Sequence, residues 1–274
     1  MSLTSFIKEN EDVKERFKVE FPKPKFAVQK ERLAEPIREK SGTVGTAFDY
    51  ALRFLTQRLN PGAIGREQWV AEDVVDLLEE DASPLLPKAR QITLNARQRL
   101  ATYLETAQMS DALIESALLL ATLDPIQRRD AGREFVGVLH PEDVLDLKNL
   151  LSAIDDRTFT AKSLCLLNPT FGAASRLVGG ADADLVIDDT LIDIKTKKEL
   201  TLDRASFDQL LGYYTLHHIG GIGGIQPSIH INKLAIYFAR YGYLHTMEVS
   251  DLIDSTKFPD FVNWFRQRAT AESG

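Results

Sequence analysis

The sequence of residues 180–198 is GADADLVIDDTLIDIKTKK, and it is the most informative part of the chain. An apolar run at 185–187 and an apolar pair at 191–192 lie on either side of the polar dipeptide 188–189. Short apolar segments separated by two turn-forming residues are typical of a β-hairpin. The stretch therefore predicts two paired strands with charged residues at their open ends.

Three charged residues of this hairpin are expected to converge. Side chains alternate between the two faces of a strand, so Asp193 and Lys195 point to the same face. Asp184 precedes the first strand and comes close to them when the strands pair. Two carboxylates beside an ammonium at a sheet edge are able to hold a hard divalent cation next to a positive charge.

Two alternatives stay open for these acids. Aspartate is depleted in strands, so a surface hairpin with solvated charges is the less favoured interpretation. Asp182 lies two residues before Asp184, hence on the same face, and is an alternative first ligand.

A helix is predicted immediately after the hairpin, over residues 205–218, ASFDQLLGYYTLHH. Its apolar residues recur at the spacing of one helix face. Gln209 and Tyr213 are four residues apart and share a face, which we expect to lie over the end of the hairpin.

Together, Asp184, the triplet Asp193-Ile194-Lys195 and the pattern Gln209-x-x-x-Tyr213 resemble the PD-(D/E)XK nuclease superfamily, in particular its RecB-like branch. The resemblance implies a restriction-endonuclease-like α/β fold, in which a mixed central sheet and its helices follow the order αβββαβ. It also implies metal-dependent hydrolysis of phosphodiester bonds. Two departures are visible: the triplet acid is Asp rather than the commoner Glu, and Ala183 stands where a proline is often found.

The resemblance also implies a role for each matched residue. Asp184 and Asp193 would bind Mg²⁺ or Mn²⁺, and Lys195 would orient or activate the attacking water. Gln209 and Tyr213 would be auxiliary catalytic residues that support the site or contact the nucleic-acid backbone.

A glycine-led helix far upstream is also similar to the RecB-like branch. Residues 42–59, GTVGTAFDYALRFLTQRL, have an apolar helix face and end at Asn-Pro-Gly. Asp49 occupies roughly the position at which the family places a further metal-facing residue, so it is a candidate metal ligand with Asp184, Asp193 and Asp182.

The placement of this helix predicts a split core. Residues 1–61 are expected to form an N-terminal arm and the first core helix, with 1–20 either a charged helix or a loosely held arm. Residues 62–172 are expected to form a large helical insertion, because four amphipathic segments separated by prolines follow one another there. Residues 173–274 would then supply the core sheet, the helix with Gln209 and Tyr213, and a closing C-terminal helix.

Composition narrows the class of protein. The chain has 274 residues, 44% of them hydrophobic, and a formal net charge of −7, which argues against a non-specific nucleic-acid coat protein. A single cysteine excludes an intramolecular disulfide and a cysteine-rich zinc site. The sequence has no apolar run of membrane-spanning length and no signal-peptide segment near its start, so we expect a cytoplasmic protein without a membrane partner.

The functional prediction is an Mg²⁺-dependent nuclease that binds and hydrolyses DNA, with RNA as the second choice of substrate. Lys197, Lys198 and Arg204 surround the predicted site and are candidate nucleic-acid-binding residues. A role in genome defence, including defence against phage, or in repair is implied by the resemblance, as is a helicase or sensor partner or a homodimer. Two alternatives are a catalytically silent nucleic-acid-binding or complex subunit with a nuclease fold, and a hydrolase of small phosphoesters.

Overall fold

The computed structural model describes residues 2–38, 42–127, 133–225 and 229–273. Numbered in chain order, the helices are α1 Leu3–Glu9, α2 Glu11–Glu20, α3 Gly42–Leu59, α4 Val70–Glu80, α5 Leu86–Thr106, α6 Asp111–Ala121, α7 Asp124–Gln127, α8 Pro141–Ser152, α9 Ala173–Leu177, α10 Arg204–Gly220, α11 Val249–Leu252 and α12 Phe258–Ser273. The strands are β1 Ile64–Gly65, β2 Cys165–Leu167, β3 Leu185–Ile187, β4 Thr190–Lys195, β5 Lys233–Phe238 and β6 Tyr243–Glu248.

The strands form one mixed sheet, six-stranded in the part of the chain that the structure describes, with the order β1-β2-β3-β4-β5-β6. The pairs β1–β2 and β4–β5 are parallel, and the other neighbours are antiparallel. The mixed α/β class predicted from the sequence is therefore confirmed.

The predicted hairpin is formed by β3 and β4. Asp188, in its turn, has a left-handed backbone with φ of 53°, a conformation that aspartate tolerates better than most residues. Its carboxylate accepts backbone N–H bonds from Lys162, Ser163 and Leu164, which anchors the turn to the preceding segment. Because Leu185 pairs with Ile192, the next step of the register sets Asp184 opposite Asp193.

Two hydrophobic layers cover the two faces of the sheet, as alternation along the strands requires. Leu185, Ile192 and Tyr237 face a layer built from α3 and helices α4 to α8. Val186, Leu191 and Ile236 face the opposite layer, built from α1, α2, α10 and α12. Because helices cover both faces of the sheet, the charged residues of the hairpin lie at the ends of β3 and β4.

The N-terminal residues belong to this second layer. Phe6 and Phe17 are fully buried and make edge-to-face contacts with Phe265 of α12 at centroid distances of 5.6 and 5.8 Å. Of the two alternatives for residues 1–20, the structure therefore has helices packed into the core rather than a loosely held arm.

Helices α4 to α8 occupy most of the predicted insertion, and α6 and α8 pack on α3. The short strands β1 and β2 also fall within residues 62–172 and join the sheet. The limits of the three predicted segments stay predictions. None of the described helices is both long and apolar enough to cross a membrane.

A buried ion pair joins α8 to the sheet. Arg240, directly after β5, bonds both carboxylate oxygens of Asp146 on α8, at 2.8 and 3.0 Å. The same guanidinium donates to the carbonyl of Thr196, the residue after β4, at 2.8 Å. One side chain thus connects α8 with the strand that carries Asp193 and Lys195.

Candidate active site

The end of β4 carries an ion pair. Asp193 is almost completely buried, and its Oδ2 lies 2.8 Å from Nζ of Lys195. The strand alternation that predicted a shared face is the reason that the two side chains meet. Because the Asp193 carboxylate is shielded from bulk water, the Lys195 ammonium is the main group that balances its negative charge.

Lys195 is held on its other side by α10. Its Nζ donates to Oε1 of Gln209 at 3.0 Å, and Nε2 of Gln209 donates to the hydroxyl of Tyr213 at 2.7 Å. The Tyr213 ring stacks on Phe171 with centroids 5.5 Å apart. The spacing of four residues on one helix face therefore builds a chain of hydrogen bonds that fixes the position of the ammonium.

Asp184 joins this group from the neighbouring strand. Its Oδ2 accepts the backbone N–H of Ile194 at 2.6 Å, between the two members of the ion pair. The bond gives the carboxylate a fixed place on the hairpin. Asp184, Asp193 and Lys195 consequently converge, as the hairpin pattern led us to expect.

Asp49 approaches the group from α3. Its Oδ2 pairs with Arg53 at 3.0 Å, whereas its Oδ1 is buried with no hydrogen-bond partner among the described residues. Arg53 in turn donates to Asn168 at 3.3 Å, and the Asn168 N–H donates to the carbonyl of Asp184 at 2.9 Å. This chain of contacts connects the upstream helix to the start of β3.

The electrostatics of the site reflect crowded, buried carboxylates. Burial raises the pKa of Asp184 well above its usual range, and the charges of Asp49 and Asp193 raise it further. Burial also raises the pKa of Asp193, although Lys195 opposes the shift. Raised pKa values of this kind are what closely spaced carboxylates with little access to water produce.

The same charges keep Lys195 and Tyr213 protonated. Burial works against the charged lysine, but Asp193 and Asp184 raise the pKa of Lys195 above its ordinary value. Burial, followed by the two aspartates, raises the pKa of Tyr213 well above that of a free phenol. Both shifts favour the protonated forms, in which Lys195 donates to Gln209 and the Tyr213 hydroxyl accepts from Gln209.

The donor set suits a hard cation. Among the described residues, Oδ2 of Asp193 makes only the ion-pair contact with Lys195, outside hydrogen-bond geometry, and Oδ1 of Asp49 has no hydrogen bond. Within the described ranges, no group of three or more His, Cys, Asp or Glu side chains is placed to hold a metal ion. Mg²⁺ commonly takes one or two protein carboxylates and keeps several waters, and Asp184 with Asp193 satisfies that smaller requirement.

Asp182 lies apart from this group. It forms a β-bridge with Thr170, and its Oδ2 is 3.9 Å from Nη1 of Arg66. Burial raises its pKa, and Arg66 opposes that shift. Of the two candidate first ligands, Asp184 is the one that bonds to β4 beside Asp193.

The three predicted nucleic-acid-binding residues occupy different environments. Lys197 pairs with Asp203 at 2.5 Å and lies over the ring of Phe238. Lys198 is exposed. Arg204 bonds to Asp208 at 2.9 Å and to the carbonyl of Phe21, so its charge serves packing between α10 and the N-terminal segment.

Sequence reasoning missed Arg53 and Asn168. Arg53 stands four residues after Asp49 on the same helix, and this spacing is a local signal for the ion pair. Asn168 carries no comparable signal, because its contacts with Arg53 and with Asp184 depend on the fold.

Comparison of the chain with protein-family models, with curated proteins and with solved structures gave no match.

Proposed function

We propose that this protein is a divalent-metal-dependent nuclease that hydrolyses phosphodiester bonds of DNA. The observation that carries the proposal is the 2.8 Å ion pair between Asp193 and Lys195, with Asp184 bonded between them at Ile194. Two acids, one buried (Asp193) and one half-buried (Asp184), beside a fixed ammonium have no evident structural benefit, because buried charges cost stability unless they are fully compensated.

The order of elements around the site supports a restriction-endonuclease-like core. The chain order α3, β2, β3, β4, α10, β5 follows αβββαβ once strand β1, helices α4 to α8 and the short helix α9 are treated as additions to the core. The acids come from α3, β3 and β4, and the supporting amide and phenol come from α10. The order of elements and the site together are what support this class.

Asp184 and Asp193 would hold Mg²⁺ or Mn²⁺, with Asp49 as a further candidate through its unbonded Oδ1. The ion, when bound, lowers the pKa of a coordinated water and offsets charge on the phosphate. Lys195 stays an ammonium and stabilises the negative charge that builds on the phosphoryl oxygens. Gln209 holds that ammonium in place, and Tyr213 holds Gln209.

The family resemblance favours DNA over RNA as the substrate. It also favours a role in defence or repair and a helicase or sensor partner. The exposed Lys198 and the neighbouring Lys197 follow β4 directly, so they are placed to meet the backbone of a strand that reaches the acids. Arg204 is the weakest of the three proposed contacts because its donors bond to the protein.

The test is a cleavage assay on single- and double-stranded DNA and RNA in Mg²⁺, in Mn²⁺ and in EDTA. We expect cleavage in either metal, none in EDTA, and none from Asp193→Asn. Lys257→Ala, at an exposed lysine paired with Asp254, is the matched surface control and should cleave like the wild type. Cleavage that persists in EDTA would contradict a metal-dependent mechanism.

A second candidate function is nucleic-acid binding without turnover. One observation favours it: Lys195 already compensates the charge of Asp193, so the acid is satisfied without a metal ion. A protein of this kind would bind DNA equally well in EDTA and in Mg²⁺ and would leave it intact.

A further inference from the structure

A small cavity lies beside the acid group, between α3, α5 and the segment around β1. Its volume is about 110 Å³, and its charged lining residues are Arg53, Arg66 and Arg97. No acidic residue of the described chain lines it. A wall that combines three guanidinium groups with aromatic and amide side chains is suited to an anion.

The guanidinium groups are fixed before any ligand arrives. Arg97 lies over the Trp69 ring at 3.8 Å, and its Nε donates to Glu72 at 2.7 Å. Arg66 donates to Asp73 at 3.3 Å. Glu72 and Asp73 do not line the cavity. They hold the two arginines in place, and they also offset part of the positive charge that the arginines bring to it.

Donors remain for a ligand. A guanidinium has five N–H groups, and the bonds recorded for Arg97 in the described chain use its Nε and Nη2 and none from Nη1. Gln57 adds an amide side chain to the lining. The amide nitrogens of Gln68 and Asn168 already donate to Asp76 and to the carbonyl of Ala183, and each has a second N–H. The recognition chemistry is that of a compact oxyanion rather than of a heterocyclic base.

The cavity is connected to the acid group by two of its own lining residues. Arg53 pairs with Asp49, and Asn168 bonds to the main chain of Asp184 through its backbone N–H. Ligands of drug size occupy roughly 300–1,000 Å³, so this volume suits a single phosphate group and not a whole nucleotide. The cavity is also too small for a nucleic-acid strand to pass through it.

We propose that this cavity binds the terminal phosphate of a nucleic-acid strand whose backbone crosses the acid group. The proposal rests on the proposed function and names its substrate class: strands with a phosphorylated end, cleaved close to that end. Arg66 and Arg97 are the phosphate-binding residues, and Arg53 connects their site to Asp49.

The test measures binding in EDTA, where a metal-dependent nuclease leaves its substrate intact. Three oligonucleotides of one sequence, labelled at an internal base, carry a 5′-phosphate, a 3′-phosphate or hydroxyls at both ends. Fluorescence anisotropy with the full chain should show about tenfold tighter binding of one phosphorylated end, the effect of a charge-assisted hydrogen bond. Equal affinity for all three strands would overturn the proposal.

Two variants and one control assign the effect to the cavity. Arg97→Gln should remove the preference for a phosphorylated end, and Arg66→Gln tests the same site while leaving the bonds of Arg97 to Glu72 intact. Arg90→Gln is the matched control, because Arg90 lies on α5 with Arg97 but pairs with the exposed Glu79. A preference that survives in both Arg97→Gln and Arg66→Gln contradicts the assignment.

A direct probe uses inorganic phosphate and the fluorescence of Trp69. Trp264→Phe removes the second tryptophan of the chain, so a saturable change in emission reports on the cavity alone. An end preference without cleavage in any metal would support the cavity and refute the nuclease. Metal-dependent cleavage without any end preference would refute the cavity and support the nuclease.

Discussion

The ion pair between Arg240 and Asp146 gives a quantitative test of how α8 is joined to the end of β4. Both side chains are buried, and the pair is bidentate at 2.8 and 3.0 Å. Asp146→Asn keeps the shape of the side chain but leaves the Arg240 charge with only carbonyl partners, at Thr196 and Ala34. Removing one partner of a buried pair typically costs about 3–5 kcal/mol.

A loss of that size is a large part of the roughly 5–15 kcal/mol that stabilises a typical domain. Urea unfolding followed by circular dichroism should show the lower free energy of unfolding, and the melting temperature should fall by roughly 10 °C. Lys148 lies on α8 with Asp146 and pairs with the exposed Asp111 of α6. Lys148→Gln breaks that pair and should cost at most about 1 kcal/mol.

The double variant Arg240→Met with Asp146→Leu separates charge from packing. Apolar replacement of a buried ion pair is often neutral or stabilising, so the double variant should be more stable than Asp146→Asn alone. If Asp146→Asn unfolds at the same urea concentration as Lys148→Gln, the pair does not couple the insertion to β4.

Three further predictions concern the site and its surroundings. Asp184→Asn should abolish cleavage yet stabilise the metal-free protein by roughly 0.5–2 kcal/mol, because it removes a buried charge next to Asp49 and Asp193; a destabilised variant in EDTA would contradict the crowding of carboxylates. Gln209→Ala should lower the cleavage rate by about 10–100-fold, because Lys195 loses the hydrogen bond that holds its ammonium in place. Circular dichroism should show an unchanged fold. An unchanged cleavage rate would show that the amide has no positioning role. Burial lowers the pKa of His217 to about 4 in the folded protein, so about 3 kcal/mol of folding stability, fully present above pH 6.5, is lost as the pH falls from 6.5 through 4. His217→Gln should flatten that part of the pH profile of stability in urea titrations. An equally steep profile would refute the assignment.

The parts of the site that follow from local periodicity were predictable from the sequence. The alternation in β4 sets Asp193 beside Lys195, and the four-residue spacing in α10 aligns Gln209 with Tyr213. Both depend on residues close together in the chain, where the geometry of a strand or a helix fixes which side chains are neighbours.

The parts that depend on distant contacts were not predictable. Asn168 reaches Arg53 across more than a hundred residues, and Arg240 reaches Asp146 across nearly as many. Hydrophobic periodicity indicates which face of an element is buried, but it contains no information about which other element covers that face. The same limit is the reason that the sequence does not decide between a charged helix and a loosely held arm for residues 1–20.

The most direct test of the central claim is the rate of DNA cleavage in Mg²⁺ by the wild type and by Lys195→Ala, measured side by side with Lys257→Ala as the control. If the ammonium at the end of β4 stabilises charge on the phosphate, Lys195→Ala should lose at least about 100-fold in rate while circular dichroism shows an intact fold. A Lys195→Ala protein that cleaves DNA as fast as the wild type would contradict the account.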